Sequence, residues 1–183
     1  MKTTKLSVAL STLLLIGSIA GCRGTVPKSP DIGDSLSKAL SQAGLKDVTV
    51  SQDRDKGIVT LGGRVASEGE KAQAEAMANS LAAGQVVADQ IAVIPAGAGN
   101  EVQTVNSDLD QGIEKNLDAA LIQNKMHNSV NYSVKNGVVT LSGEVSSERM
   151  RTSAGQVATG VPNVRQVVNA LEVVKHRKAS STP

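Results

Sequence analysis

The stretch GIVTLGGRVASE at residues 57–68 returns as GVVTLSGEVSSE at residues 137–148, 80 positions later. Neither copy contains a Cys, a His or an aromatic residue, and the charges are only Arg64 and Glu68 in one and Glu144 and Glu148 in the other. A segment kept twice without reactive side chains is scaffold, and it confines the chain to two small units of one design. The rest of each copy matches element by element. Ile32, Leu36 and Leu40, like Ile113, Leu117 and Leu121, recur every four residues, as one apolar helix stripe does. Asp31 and Asp110 precede these stripes, where an acidic residue suits a helix N-terminus. Val48 and Val50 in one copy, and Val130, Tyr132 and Val134 in the other, alternate as a half-buried strand does.

A turn follows, Asp55-Lys56-Gly57 or Asn136-Gly137, and the Asn-Gly pair predicts a tight hairpin because both residues tolerate positive φ. The repeated segment is the next strand. Val59, Leu61 and Val65 point to one face with Gly63 between them, and Val139, Leu141, Gly143 and Val145 do the same. A glycine within a strand marks a bulge or a close approach, here expected to be that of the second helix. That helix opens at Ser67, with Glu70 completing a capping box, or at Ser147. Its apolar stripe is Ala74, Met77, Ala78 and Leu81, or Met150, Ala154, Val157, Ala158 and Val161. A single last strand is predicted over Val86–Ile94 and over Val164–Val174. The fold class is therefore α+β: α-β-β-α-β twice, each unit with two helices packed on a three-stranded mixed sheet.

Composition and spacing divide the chain further. Lys2 and Lys5 precede an apolar run from Leu6 to Ala20, shorter than the roughly 20 residues of a spanning helix and patterned as a secretory signal. The run ends in Ile19-Ala20-Gly21-Cys22, which resembles the bacterial lipobox, and Cys22 is the sole cysteine. The resemblance implies cleavage before Cys22 and acylation of it, with palmitate among the chains attached. Arg23, rather than Asp, follows, which by resemblance to enterobacterial lipoproteins favours the outer membrane. The divisions are then 1–21 signal peptide, 22–30 tether, 31–94 first domain, 95–107 linker, 108–174 second domain and 175–183 basic and polar tail. Pro27 and Pro30 mark the tether, and Pro95-Ala-Gly-Ala-Gly-Asn100 opens the linker.

Charge and residue usage exclude several functions. Two of the 19 Lys and Arg, and none of the 17 Asp and Glu, precede Cys22, so the chain after cleavage has 17 of each. That balance argues against nucleic-acid binding, which needs clustered cations. The exception, Lys175-His176-Arg177-Lys178, is either a solvated end or a weak contact with anionic lipid. His127 and His176 are the only histidines, so no catalytic triad and no metal-ligand spacing can be assembled. The acidic pairs Asp53/Asp55, Glu68/Glu70 and Asp108/Asp110 fall in turns or at helix starts, where capping and solvation account for them. The expectation is a non-enzymatic protein without cofactor or metal.

The series V-x-V, G-V-V-T-L-S-G-E-V-S, an Ala-rich helix and V-x-x-V-V-N-x-L-x-V resembles the BON domain (bacterial OsmY and nodulation). The resemblance spans Asp31–Ile94 and Asp108–Val174. Gly57, Leu61, Gly63 and Val65 carry it in the first copy, and Gly137, Leu141, Gly143, Val145, Val167, Asn169 and Leu171 in the second. The first copy departs from it with Asp89 in the place of Asn169. The resemblance implies an envelope or periplasmic protein that binds phospholipid and supports the envelope under stress, osmotic stress included. By the same resemblance, headgroup contact falls on the second domain's helix from Ser147, where Arg149, Arg151, Thr152 and Gln156 form the outer face. Its stripe of Met150, Ala154, Val157 and Val161 is read as core. Phe and Trp are absent and Tyr132 is the only aromatic residue, so superficial headgroup contact is expected rather than insertion. The alternative is a protein–protein adaptor, in which a sheet face or edge recruits an envelope partner and Cys22 alone supplies membrane affinity.

Overall fold

The structure is a computed structural model that describes residues 28–174. The expected signal peptide, Cys22, most of the expected tether and the basic tail lie outside the described residues. Each unit is built as α-β-β-α-β. In the first, α1 (Gly33–Gln42) leads into β1 (Val48–Asp53) and β2 (Ile58–Val65), then α2 (Glu68–Leu81), β3 (Val86–Asp89) and β4 (Ala92–Val93). In the second, α3 (Gly99–Gln123) precedes β5 (Asn131–Lys135), β6 (Val138–Ser142) and β7 (Glu144–Val145), then α4 (Glu148–Thr159), β8 (Gln166–Asn169) and β9 (Glu172–Val173). The repeated segment is central in each sheet: β2 pairs antiparallel with β1 and parallel with β3 and β4, and β6 likewise with β5 and β8.

Alternation along these strands fills two cores. Val59 and Leu61 are fully buried with Leu36, Leu40, Ala74 and Ala78, and Val139 and Leu141 with Leu117, Leu121, Ala154 and Ala158. Full burial of one such Leu removes enough apolar surface from water to stabilise by roughly 1.5–3 kcal/mol. Small residues on α2 and α4 let each helix lie low on its sheet. Among the described residues no helix is long and apolar enough to cross a membrane.

Four local expectations are corrected. The last strand is not continuous in either copy: it breaks at Gln90-Ile91 and Ala170-Leu171, where the Asp89 and Asn169 side chains accept hydrogen bonds from the backbone two residues on. Gly63 and Gly143 do not admit a helix. Both have positive φ, and a Cβ on Gly63 would fall 2.0 Å from Asp47 O, on Gly143 2.8 Å from Ser129 O. The chain entering the first strand, not the helix, presses on them. The polar stretch read as a linker is helical from Gly99, so Asp110 sits inside α3 rather than before it. Its carboxylate instead accepts from the turn amides of Asn136 (2.7 Å) and Gly137 (2.8 Å). Asp31 does not cap α1 either, since Gln52 Oε1 accepts from Ile32 N and Gly33 N, both at 3.1 Å. The last tether residues are held as well: Ser29 exchanges hydrogen bonds with Arg54, and Lys28 pairs with Asp55 at 3.1 Å.

The helix-free faces of the two sheets meet. Ile58 and Ala88 pack on Val138, Val168 and Ala170 in a small buried cluster. Gln166 completes the seam like one more strand residue, its Nε2 donating to Val87 O at 2.7 Å and its Oε1 accepting from Asp89 N at 3.1 Å. Asn136 Nδ2 adds a hydrogen bond to Gln90 O at 2.7 Å. Docking of a partner on the sheet faces at β3 and β8 is thereby closed off.

Candidate functional site

The second helix of the second domain starts from Ser147, whose hydroxyl accepts from Met150 N at 3.3 Å. Ala154, Ala158 and Val161 are buried on its inner side with Met150 and Val157 packed beside them, so the apolar stripe is core. The outer side carries the polar candidates. Arg151, Thr152 and Gln156 line a shallow groove of ≈ 740 Å³ between α4 and β8, with Gly155, Asn169 and Val167 on its floor and walls. Arg149 does not line it. Residues two apart on a helix point to different sides, and Arg149 is exposed beyond the groove's edge.

Asn169 joins the groove floor to the helix. Its Nδ2 donates to Arg151 O at 2.8 Å, and its Oδ1 accepts from Leu171 N at 3.3 Å. The approach is close enough that a Cβ on Gly155 would fall 3.0 Å from that Nδ2. The Arg151 guanidinium points outward to Glu148 at 3.4 Å, an exposed pair whose worth is small, about 0–1 kcal/mol. An anion can displace such a partner, because phosphate takes two parallel bonds from a guanidinium.

The first domain offers no equivalent. Lys71 stands where Arg151 does, but Ala72, Ala76 and Gly69 replace Thr152, Gln156 and Arg149, and Glu75 replaces Gly155. Lys71 Nζ lies 3.5 Å from Asp89 Oδ2 and donates to Ile91 O at 2.9 Å, with both side chains nearly closed to solvent. Asp89 is thus not a neutral variant of Asn169 but the counterion of Lys71. Gly155, Lys71 and the seam residue Gln166 were not singled out by sequence reasoning. Aligning the repeats at 80 positions points to Gly155, where the first copy has the charged Glu75, and to Lys71 only through Asp89, the charged counterpart of Asn169.

The remaining motif residues occupy structural positions. Leu61, Val65, Leu141 and Val145 are core, while Gly57 and Gly137 turn the hairpins at positive φ. His127 Nδ1 lies 2.8 Å from Asp118 Oδ1, out of line for a hydrogen bond, beside Tyr132. Burial, then the nearby Asp118 and Glu114 charges, hold the Tyr132 phenol above its ordinary value. A second concavity of ≈ 330 Å³ lies at the seam, between Ile91, Val93, Leu109, Val164 and Arg165. Among the described residues no three His, Cys, Asp or Glu side chains gather as a metal site would need.

Fold and site define a tandem of small α+β binding domains. The BON domain model matches residues 30–95 and 109–175, most of the chain, and the protein belongs to the BON domain family. BON domains are non-enzymatic binding domains, counted among those that bind phospholipid, and they occur in periplasmic and envelope-associated proteins. No curated protein matches the chain. Two solved structures of CdsD, a structural protein of the type III secretion system of Chlamydia trachomatis, are similar to it. For its C-terminal domain the identity is 18% and the TM-score 0.31, covering 78% of this chain and 65% of that one. A second CdsD structure gives 14% and 0.35, covering 82% and 98%.

Proposed function

We propose that this is a lipid-anchored envelope protein that reads anionic phospholipid headgroups with the α4 groove of its second domain. One observation carries the reading: the two domains share core and topology, yet the second has Arg149, Thr152 and Gln156 on the outer side of its second helix where the first has Gly69, Ala72 and Ala76. A scaffold requirement would have kept both faces alike. Arg151 would take the phosphate, Thr152 and Gln156 its remaining oxygens, and Arg149 would add field from the rim. Anchoring falls to an acylated Cys22, whose chains would sit in the outer membrane with the domains facing the periplasm, so the groove has only to orient the domain against lipid it already neighbours. In that position the protein supports envelope integrity under osmotic stress.

Vesicle co-sedimentation of the chain from Thr25 onward tests the groove without the anchor. Binding should require anionic phospholipid and weaken by about five-fold on Arg151→Glu or more, and by less on Arg149→Glu; equal binding to neutral vesicles contradicts the reading. Labelling cells with radioactive palmitate should mark the wild type and not Cys22→Ser.

One observation favours the protein-adaptor reading. Val105 and Leu109, one turn apart on α3 with Leu109 at the seam concavity, are 56% and 47% exposed, an apolar pair suited to docking a partner helix. Retention of an envelope protein by the wild type and its loss on Val105→Glu with Leu109→Glu would support that reading.

A further inference from the structure

We propose that the residue closing β3 in the first domain or β8 in the second, Asp89 or Asn169, decides whether the basic side chain on the second helix is held inside the domain or presented to an anion. The inference rests on the headgroup reading above and names the residue that sets it.

The two positions are equivalent in the strand ladder and in the turn that follows. Leu61 pairs with Asp89 and Leu141 with Asn169 at the same point of a parallel ladder. Each side chain accepts from the backbone N–H two residues on. Lys71 and Arg151 are both the fourth residue of their helices. What differs is charge. In the first domain the Asp89 carboxylate turns its second oxygen to Lys71 Nζ at 3.5 Å, with the two side chains only 10% and 13% exposed. Drawn off water and donating also to Ile91 O, that ammonium is spent on its own domain.

In the second domain an uncharged amide occupies the same place. It has a donor where Asp89 has an acceptor, and that donor satisfies the helix carbonyl of Arg151. Nothing on the strand then attracts the guanidinium, which reaches Glu148 at the surface. Gly155 in place of Glu75 removes another acidic side chain from this face. Both exchanges shift the second domain toward anion binding. One oxygen-for-nitrogen change therefore separates a closed face from an open one.

The test uses the chain from Thr25 and vesicles of phosphatidylcholine with and without phosphatidylglycerol. Asn169→Asp should lower affinity for the anionic vesicles by about five-fold or more, as should Arg151→Gln, and the double variant should lose little beyond either one. Asn169→Ser, which loses the amide but adds no charge, should weaken binding less than Asn169→Asp does. Without vesicles, the Arg151 Nε–H signal in nitrogen-15 NMR should show slowed solvent exchange in Asn169→Asp. Losses that add in the double variant, or equal losses from Asn169→Ser and Asn169→Asp, would overturn the proposal. An unchanged Arg151 signal would do the same. Absence of any anionic preference in the wild type would instead defeat the headgroup reading, and the Arg151 signal would still decide what residue 169 controls.

Discussion

Gly63 and Gly143 carry the family pattern because a Cβ at either would run into the backbone that enters the preceding strand. Gly44 has nearly the same φ, +87° against +88°, but open space around it. Gly44→Ala should thus cost only the left-handed backbone term, about 1 kcal/mol. Gly63→Ala should cost about 3 kcal/mol or more, since it adds a clash with Asp47. Urea unfolding of the two variants separates these terms. The glycines were legible in the sequence as constrained, but their neighbour was not: a strand pattern shows that Cβ is missing without showing what fills the space. Tyr132 was legible as a strand residue, while its charged surroundings came from α3. Because the phenol titrates above 10.0 in the folded chain, its contribution is fully present below that pH and is lost as pH rises through the folded value. Stability should fall on alkaline titration above pH 10, and Tyr132→Phe should flatten that fall.

At the scale of elements, periodicity located all four long helical stripes, because each buries one face in a core of its own. It failed at their ends. α3 begins well before Asp110 since Val102, Val105 and Leu109 continue the helical spacing over a stretch whose Gly, Ala and Asn read as linker. Caps supplied from distant strands are invisible to local reading, as Gln52 on α1 shows. Asp110 lies 26 and 27 residues from the two amides it accepts from, so its value lies in joining α3 to the hairpin. Asp110→Ala should destabilise by about 2 kcal/mol, as loss of charge-assisted bonds to half-buried amides does. Asp108→Ala, on the exposed side of the same helix, should stay within about 0.5 kcal/mol. Thermal melts of the two variants check this.

The whole molecule is two copies joined through their backs. Ile58 and Val138, and Ala88 and Val168, are equivalent pairs meeting in one cluster, yet Gln166 has Val86 as its counterpart and bonds in one direction only. Repeat logic could foresee the halves but not the seam, which depends on a residue that breaks the repeat. The joined protein should unfold in one calorimetric transition, and Gln166→Ala with Val168→Asp should split it into two; one transition in the double variant would mean that the seam does not couple the domains. The same asymmetry of duplicated parts underlies the proposed function: a face closed by Lys71 and Asp89 in one domain stands open over Gly155 and Asn169 in the other. The most direct test is nitrogen-15 amide mapping of the chain from Thr25 with nanodiscs containing phosphatidylglycerol. Shifts should centre on Arg151, Thr152, Gly155 and Gln156, with Lys71 to Ala76 unmoved. Shifts centred on Val105 and Leu109, or spread equally over α2 and α4, would contradict the assignment of headgroup contact to the α4 groove.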